Sequence, residues 1–130
     1  MLSKELVELA NKVCKQKTEE QTIELKAAHE GCPKRLYDSL SSFSNQDCGG
    51  ILLFGIDERQ DYKIVGVYDP QDLQKTVTEQ CQQMEPPVRA EFTLAEVDGR
   101  FIVSAEIPAL DISERPCYYR GAGRTKGAYI

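Results

Sequence analysis

The chain has 130 residues, 41% of them apolar, with 16 Lys+Arg against 21 Asp+Glu for a formal charge of −5. That is enough sequence for one domain over residues 1–130 with a core of its own, and no apolar run approaches the roughly 18 residues a membrane span needs, so a soluble, cytoplasmic protein without a membrane partner is expected. Five cysteines, widely spaced and with no C-x-x-C pair, argue against a disulfide framework or zinc cluster, and a lone histidine excludes a histidine-rich site; any cation would sit on carboxylates, which suits magnesium or manganese.

The opening MLSKELVELANK interrupts its apolar residues with charge at helical spacing, so it is no secretory signal. Ser3 is placed to cap a first helix whose stripe is Leu6, Leu9, Ala10 and Val13. Thr22–Ala27 alternates, with Ile23, Leu25 and Ala27 on one face and Thr22, Glu24 and Lys26 on the other. That second face is either a solvated ion pair or the lining of a site. Gly31-Cys32-Pro33 breaks the chain, and Pro33 suits the first turn of a second helix, in which Leu36, Leu40 and Phe43 form one face that stops at Ser44 and Asn45.

The Gly49-Gly50 turn that follows can take positive φ and admit a close neighbour. Gly50–Ile56 has no polar residue to spare for solvent and predicts a central strand covered on both faces. It ends in Asp57-Glu58, which either begin a solvated turn or stand at the rim of the sheet, where α/β folds place ligands. Arg59–Tyr62 reads as a tight connection to a strand at Lys63–Val67. Asp69-Pro70 starts a third helix continued by Leu73, Val77, Cys81 and Met84, with Met84 read as core. Pro86-Pro87 ends it. Val88, Ala90, Phe92 and Leu94, an Asp98-Gly99 turn, and Phe101, Val103, Ala105 and Ile107 predict a hairpin with one wet face. Cys117–Tyr119 is a short strand candidate. The glycines 121, 123 and 127 lack the dinucleotide spacing and its strand–turn–helix context. Helices that separate a hairpin-rich sheet imply an α+β fold, a mixed and mostly antiparallel sheet of about five to six strands with three helices.

Charge is uneven. Residues 1–40 hold seven basic and seven acidic side chains, residues 41–114 five and fourteen, and residues 115–130 four and none. Local charge decides whether phosphate is attracted. Arg115, Arg120, Arg124 and Lys126, interleaved with Tyr118, Tyr119 and Tyr129, could neutralise phosphates and stack on unpaired bases; the same pattern also fits a basic strand with its tyrosines packed on the sheet. Cys48 beside Asp47 has no placed base, and an isolated cysteine of that kind is more often inert. Gly49-Gly50 lacks the P-loop lysine, so a triphosphate would not be cradled here.

Four ordered motifs carry a family resemblance from Glu19 to Ile130: Glu19-x-x-x-x-Glu24-Leu25-Lys26; Leu40-x-Ser42-Phe43-x-Asn45-x-x-x-Gly49-Gly50-x-Leu52-x-Phe54-Gly55-Ile56-Asp57; Val65-Gly66-Val67 with Asp69-Pro70; and Arg115-Pro116-x-Tyr118-x-Arg120-Gly121-x-Gly123 with Gly127-x-Tyr129-Ile130. The chain resembles the Schlafen AlbA-type domains. The resemblance implies an Alba/Schlafen-like α+β domain that binds nucleic acid, DNA first, through Lys26, Arg115, Tyr118, Arg120, Arg124 and Lys126, with the glycine turn Gly49-Gly50. In bacteria such domains usually open longer transcription-regulator-like proteins, so this chain is expected to be an N-terminal fragment, with a homo-oligomer as one option.

In eukaryotic Schlafens, paired lobes form a divalent-metal ribonuclease, and this supplies the alternative function. Glu19 and Glu24 occupy its glutamate positions, while Asp57-Glu58 covers the third, with Glu58 the more natural match. The implied catalytic set is Glu19, Glu24, Asp57 and Glu58. The implied ligands to magnesium or manganese are Glu19, Glu24 and Glu58. Leu25 stands where the family usually has phenylalanine.

Overall fold

The computed structural model describes residues 1–17 and 22–122. Among these, three α-helices surround a four-stranded sheet, with two further two-stranded ribbons. The sheet order is β1-β2-β7-β6, where β1 is Ile23–Lys26, β2 Gly50–Phe54, β6 Glu91–Val97 and β7 Arg100–Ile107. β2 runs parallel to β1 and antiparallel to β7, which makes it central, as its apolar run requires. Leu52 and Phe54 enter one core with α2 (Tyr37–Ser44) and α3 (Pro70–Gln82), while Leu53 enters a second core with Leu6, Ala10 and Val13 of α1 (Ser3–Gln16). Both faces are therefore covered. At about 25 cal/mol per Å² of apolar surface, each wholly buried leucine of β2 contributes about 2 kcal/mol.

The double glycine works by two different means. Gly49 takes φ +65, and a Cβ there would stand 2.3 Å from the Ile107 carbonyl oxygen. Gly50 is needed for space, since its Cβ would fall 2.1 Å from the Phe43 ring. Together they let the end of α2 lie directly on β2.

Five local expectations are corrected. Ser3 is not the cap of α1: Leu2 holds that position, its backbone N–H donates to Glu5 at 2.8 Å, and the Ser3 hydroxyl instead donates to the Leu94 carbonyl at 2.7 Å. Pro33 lies ahead of α2, which begins at Tyr37 after the buried Gln80 side chain has taken the Leu36 N–H at 2.7 Å and donated to the Pro33 carbonyl at 2.9 Å. The central strand ends at Phe54, because Gly55 at φ +110 turns the chain and Ile56–Asp57 becomes β3. β3 pairs with β4, which is only Lys63–Ile64, since Gly66 at φ +78 turns away to meet the Gly55 carbonyl. The β6–β7 hairpin has no wholly wet face: Thr93, Ala95, Val97, Ile102 and Ser104 are buried too, because α1 packs on the side expected to face water.

Other readings hold. Asp69 caps α3, accepting from the Asp72 N–H at 3.0 Å with Pro70 in the first turn. Asp98-Gly99 takes φ +52 and +78, the pair of positive values a two-residue hairpin turn needs. Met84 is wholly buried, but it lies beyond α3 in β5 (Met84–Glu85), which pairs with β8 (Tyr118–Tyr119). That ribbon stands apart from the main sheet, which has four strands among the described residues, and the whole is the α+β fold of three helices with a mixed, mostly antiparallel sheet that the element order implies.

Candidate nucleic-acid interface

Among the described residues of the segment that carries the basic strip, the ladder is the two-residue β5–β8 pairing and one further bond from the Arg120 N–H to the Gln83 carbonyl at 3.1 Å, so side chains must add to its hold. α2 supplies them. Tyr37, Ser41 and Asn45 recur at i, i+4 and i+8, a second stripe beside the apolar one. Buried Asn45 grips both backbone groups of Cys117: its Oδ1 accepts from the Cys117 N–H at 2.7 Å and its Nδ2 donates to the Cys117 carbonyl at 3.2 Å. The Ser41 hydroxyl donates to the same carbonyl at 2.7 Å. An amide side chain is suited to this grip because it offers a donor and an acceptor side by side.

Arg115 spends its fork on the fold. Nε donates to the Leu110 carbonyl at 3.1 Å, Nη1 to Asp47 at 2.9 Å and Nη2 to the Gln46 carbonyl at 3.4 Å. Its side chain is 20% exposed against 90% for Asp47. Arg120 is exposed, and one of its amines donates to the Gln82 carbonyl at 2.7 Å, at the end of α3 where carbonyls lack helical partners. The other N–H groups of that guanidinium remain at the surface. Tyr118 is half-buried opposite Glu85. Arg124 and Lys126 lie outside the described residues.

Tyr119 stacks on Tyr37, with ring centroids 3.8 Å apart and planes 12° apart. Burial holds the Tyr37 phenol above its ordinary value, Tyr119 adds to the rise, and Arg35 partly offsets it. The Arg35 guanidinium carbon lies 5.4 Å from one ring centre and 5.7 Å from the other. Near-equal distances to two stacked rings place the cation beside the pair rather than over its outer face, so the face attraction described for cation–π pairs contributes little here. A Cβ on Gly121 would stand 2.5 Å from Tyr119 Cζ. Tyr119 is thus enclosed by Tyr37 and the chain itself. Arg35, Tyr37 and Ser41 were not singled out from the sequence, although the i, i+4, i+8 stripe was there to find.

The carboxylates fall into separate settings. Glu24 accepts a hydrogen bond from the Ser39 hydroxyl on α2, and Lys26 Nζ stands 3.9 Å from it. Asp57 accepts from the Arg59 N–H at 3.0 Å and from Gln60 at 2.7 Å, which shapes the turn Glu58–Gln60. Glu58 is exposed on that turn, and Asp61 beyond it meets Lys17 at the end of α1 at 2.7 Å. Among the described residues no three His, Cys, Asp or Glu side chains could hold one cation, and Glu19 lies outside them. Cys48 is exposed and has no His29 near its thiol: His29 contacts the Gly66 carbonyl at 3.3 Å. A cleft of about 460 Å³ beside Cys48 is lined by Glu91 and Glu106 against Arg89, a balance unsuited to phosphate.

The sequence matches the family model described as Schlafen, AlbA_2 over residues 19–129. The chain belongs to that family. The AlbA_2 fold is similar to the N-terminal domain of a RecG-related protein from Nitrosomonas europaea, at 27% identity and TM-score 0.74, covering 95% of this chain and 86% of that one. A weaker likeness links it to the DIP2311 protein from Corynebacterium diphtheriae, at 14% identity and TM-score 0.56, over 91% of this chain and 24% of the other; it speaks to the fold alone. No curated protein matches the chain. No described helix is long and apolar enough to cross a membrane. Within the AlbA_2 motifs, Asn45 and Arg115 hold the segment that leads into β8 in place, Gly49 and Gly50 admit close neighbours, and Gly121 makes room for Tyr119.

Proposed function

We propose that this AlbA_2 domain binds nucleic acid, DNA first, and serves as the recognition module of a longer transcription-regulator-like protein. The contact is the C-terminal basic strip, with Arg120, Arg124 and Lys126 as phosphate ligands, Lys26 as a further cation, and Tyr118 as the half-buried aromatic at its base. Arg115 serves the same surface by holding it.

The observation that carries this reading is the contrast of charge. Residues 115–130 have four cations and no anion, whereas residues 41–114 have five basic and fourteen acidic side chains. Phosphate is repelled by most of the body, so orientation follows from the strip. Family membership supports the same reading.

The test is fluorescence anisotropy against duplex DNA, single-stranded DNA and RNA over a salt series. Arg120→Ala/Arg124→Ala should weaken binding to all sequences alike and lower the slope of log K against log salt by up to about 2, near 0.9 per lost duplex contact. Wild-type affinity in that variant at low salt would place the contact elsewhere. Loss of only one preferred sequence would mean that these arginines read bases.

A further inference from the structure

We propose that Asn45 is a positioning residue for nucleic-acid contact: its grip on the Cys117 backbone fixes the path of residues 117–121 and so the place from which Arg120 reaches phosphate. The inference rests on the basic strip being the contact.

The geometry that points to it is an imbalance between anchor and ladder. β8 is two residues long and pairs with the two residues of β5, with one more backbone bond from the Arg120 N–H to the Gln83 carbonyl at 3.1 Å. An isolated pairing of that length is not stable in water. Cys117, immediately before it, is wholly buried, and its N–H and C=O are both taken up by α2, with Asn45 on each and Ser41 on the carbonyl. Without these partners two backbone groups would be buried unpaired, at about 1–3 kcal/mol each. The segment would then leave the core rather than stay in register. Downstream, the Tyr37–Tyr119 stack and the Arg120 contact to Gln82 depend on that register. A free strip would keep its charges but lose their arrangement. Binding would then carry the entropic cost of ordering the strip, and fewer phosphates would be neutralised at once.

The experiment compares wild-type chain, Asn45→Ala and Arg120→Ala/Arg124→Ala. Binding to a fluorescein-labelled random-sequence duplex is titrated over a salt series, and amide hydrogen exchange is followed at residues 117–121. Leu6→Ala, in the core across the sheet, supplies a destabilised control. Asn45→Ala should expose the Cys117 amide to exchange, weaken binding at low salt at least fivefold and lower the salt slope by about 1, the share of Arg120. Leu6→Ala should leave the slope unchanged. If Asn45→Ala does not fold, Ser41→Ala, which removes one bond to the same carbonyl, should give the same changes in smaller measure. The proposal is overturned if the Cys117 amide stays protected, if the freed strip binds with wild-type affinity, or if affinity falls with the slope intact. If the arginine pair itself proves dispensable, the interface reading fails and this inference falls with it. If the arginine pair matters and Asn45 does not, only the positioning role fails.

Discussion

Ser104 sits in mid-β7 with its hydroxyl buried and without a hydrogen-bond partner among the described residues. A stranded hydroxyl costs about 1–3 kcal/mol, whereas alanine in its place asks for no partner. Ser104→Ala should therefore match or exceed wild-type stability by up to about 1 kcal/mol in urea unfolding; a clear loss would mean that the hydroxyl has a partner such as a buried water. The thiols give a pH signature. Burial pushes Cys32 and Cys81 from the ordinary 9.0 up to about 11. Because the folded state disfavours the thiolate, their contribution is complete below pH 9 and is lost as pH rises from 9 to 11, by at most about 1.4 kcal/mol per pH unit for one fully buried thiol. Under reducing conditions, Cys81→Val should flatten that part of the stability profile; an unchanged slope would count against burial as the cause. The depth of Cys81 was legible in the helical stripe Leu73, Val77 and Cys81, whereas nothing in the neighbouring sequence marks the lost partner of Ser104. Arg115 shows the opposite case: its charge was conspicuous, but its three acceptors come from a loop and a helix end that only the fold brings together.

At the scale of elements, α2 shows what periodicity reveals and what it leaves out. Its apolar face of Leu36, Leu40 and Phe43 was plain and is buried as expected. Its second stripe of Tyr37, Ser41 and Asn45 shows in the spacing, but the segment it holds at Cys117–Tyr119 lies more than seventy residues away, so nothing local says what the stripe is for. α3 and the β6–β7 hairpin were legible for the converse reason, since Asp69-Pro70 and Asp98-Gly99 carry their own stop and start signals. Of the β5–β8 ribbon, β8 matches the strand candidate at Cys117–Tyr119, while Met84–Glu85 has too few residues for alternation to register. In that ribbon's support, Arg115→Lys keeps the charge but loses the planar fork that reaches Leu110, Asp47 and Gln46 together. It should lower stability by about 1–2 kcal/mol, as two or more hydrogen bonds do when their donor is removed, read by thermal unfolding. An unchanged midpoint would mean that a single ammonium suffices.

Taken as a whole, the molecule is a sheet between two cores, and its ends differ in kind. Among the described residues, β1 closes one side as a short parallel strand, while β6 closes the other with seven residues. The two-residue turn after Val97 directs the N–H and C=O of Phe92, Leu94 and Glu96 outward from the pair. An open row of that kind can template a foreign strand and seed aggregation. The Ser3 hydroxyl occupies the middle carbonyl of that row, and Glu91 and Glu96 put like charge along it. The first turn of α1 is thus a plug against strand addition. Ser3→Ala should cost less than about 1 kcal/mol of stability, as one exposed hydrogen bond does, yet raise the rate at which light scattering grows on mild heating. A variant that scatters no faster than wild type would mean that the Ser3 hydroxyl does not guard that edge.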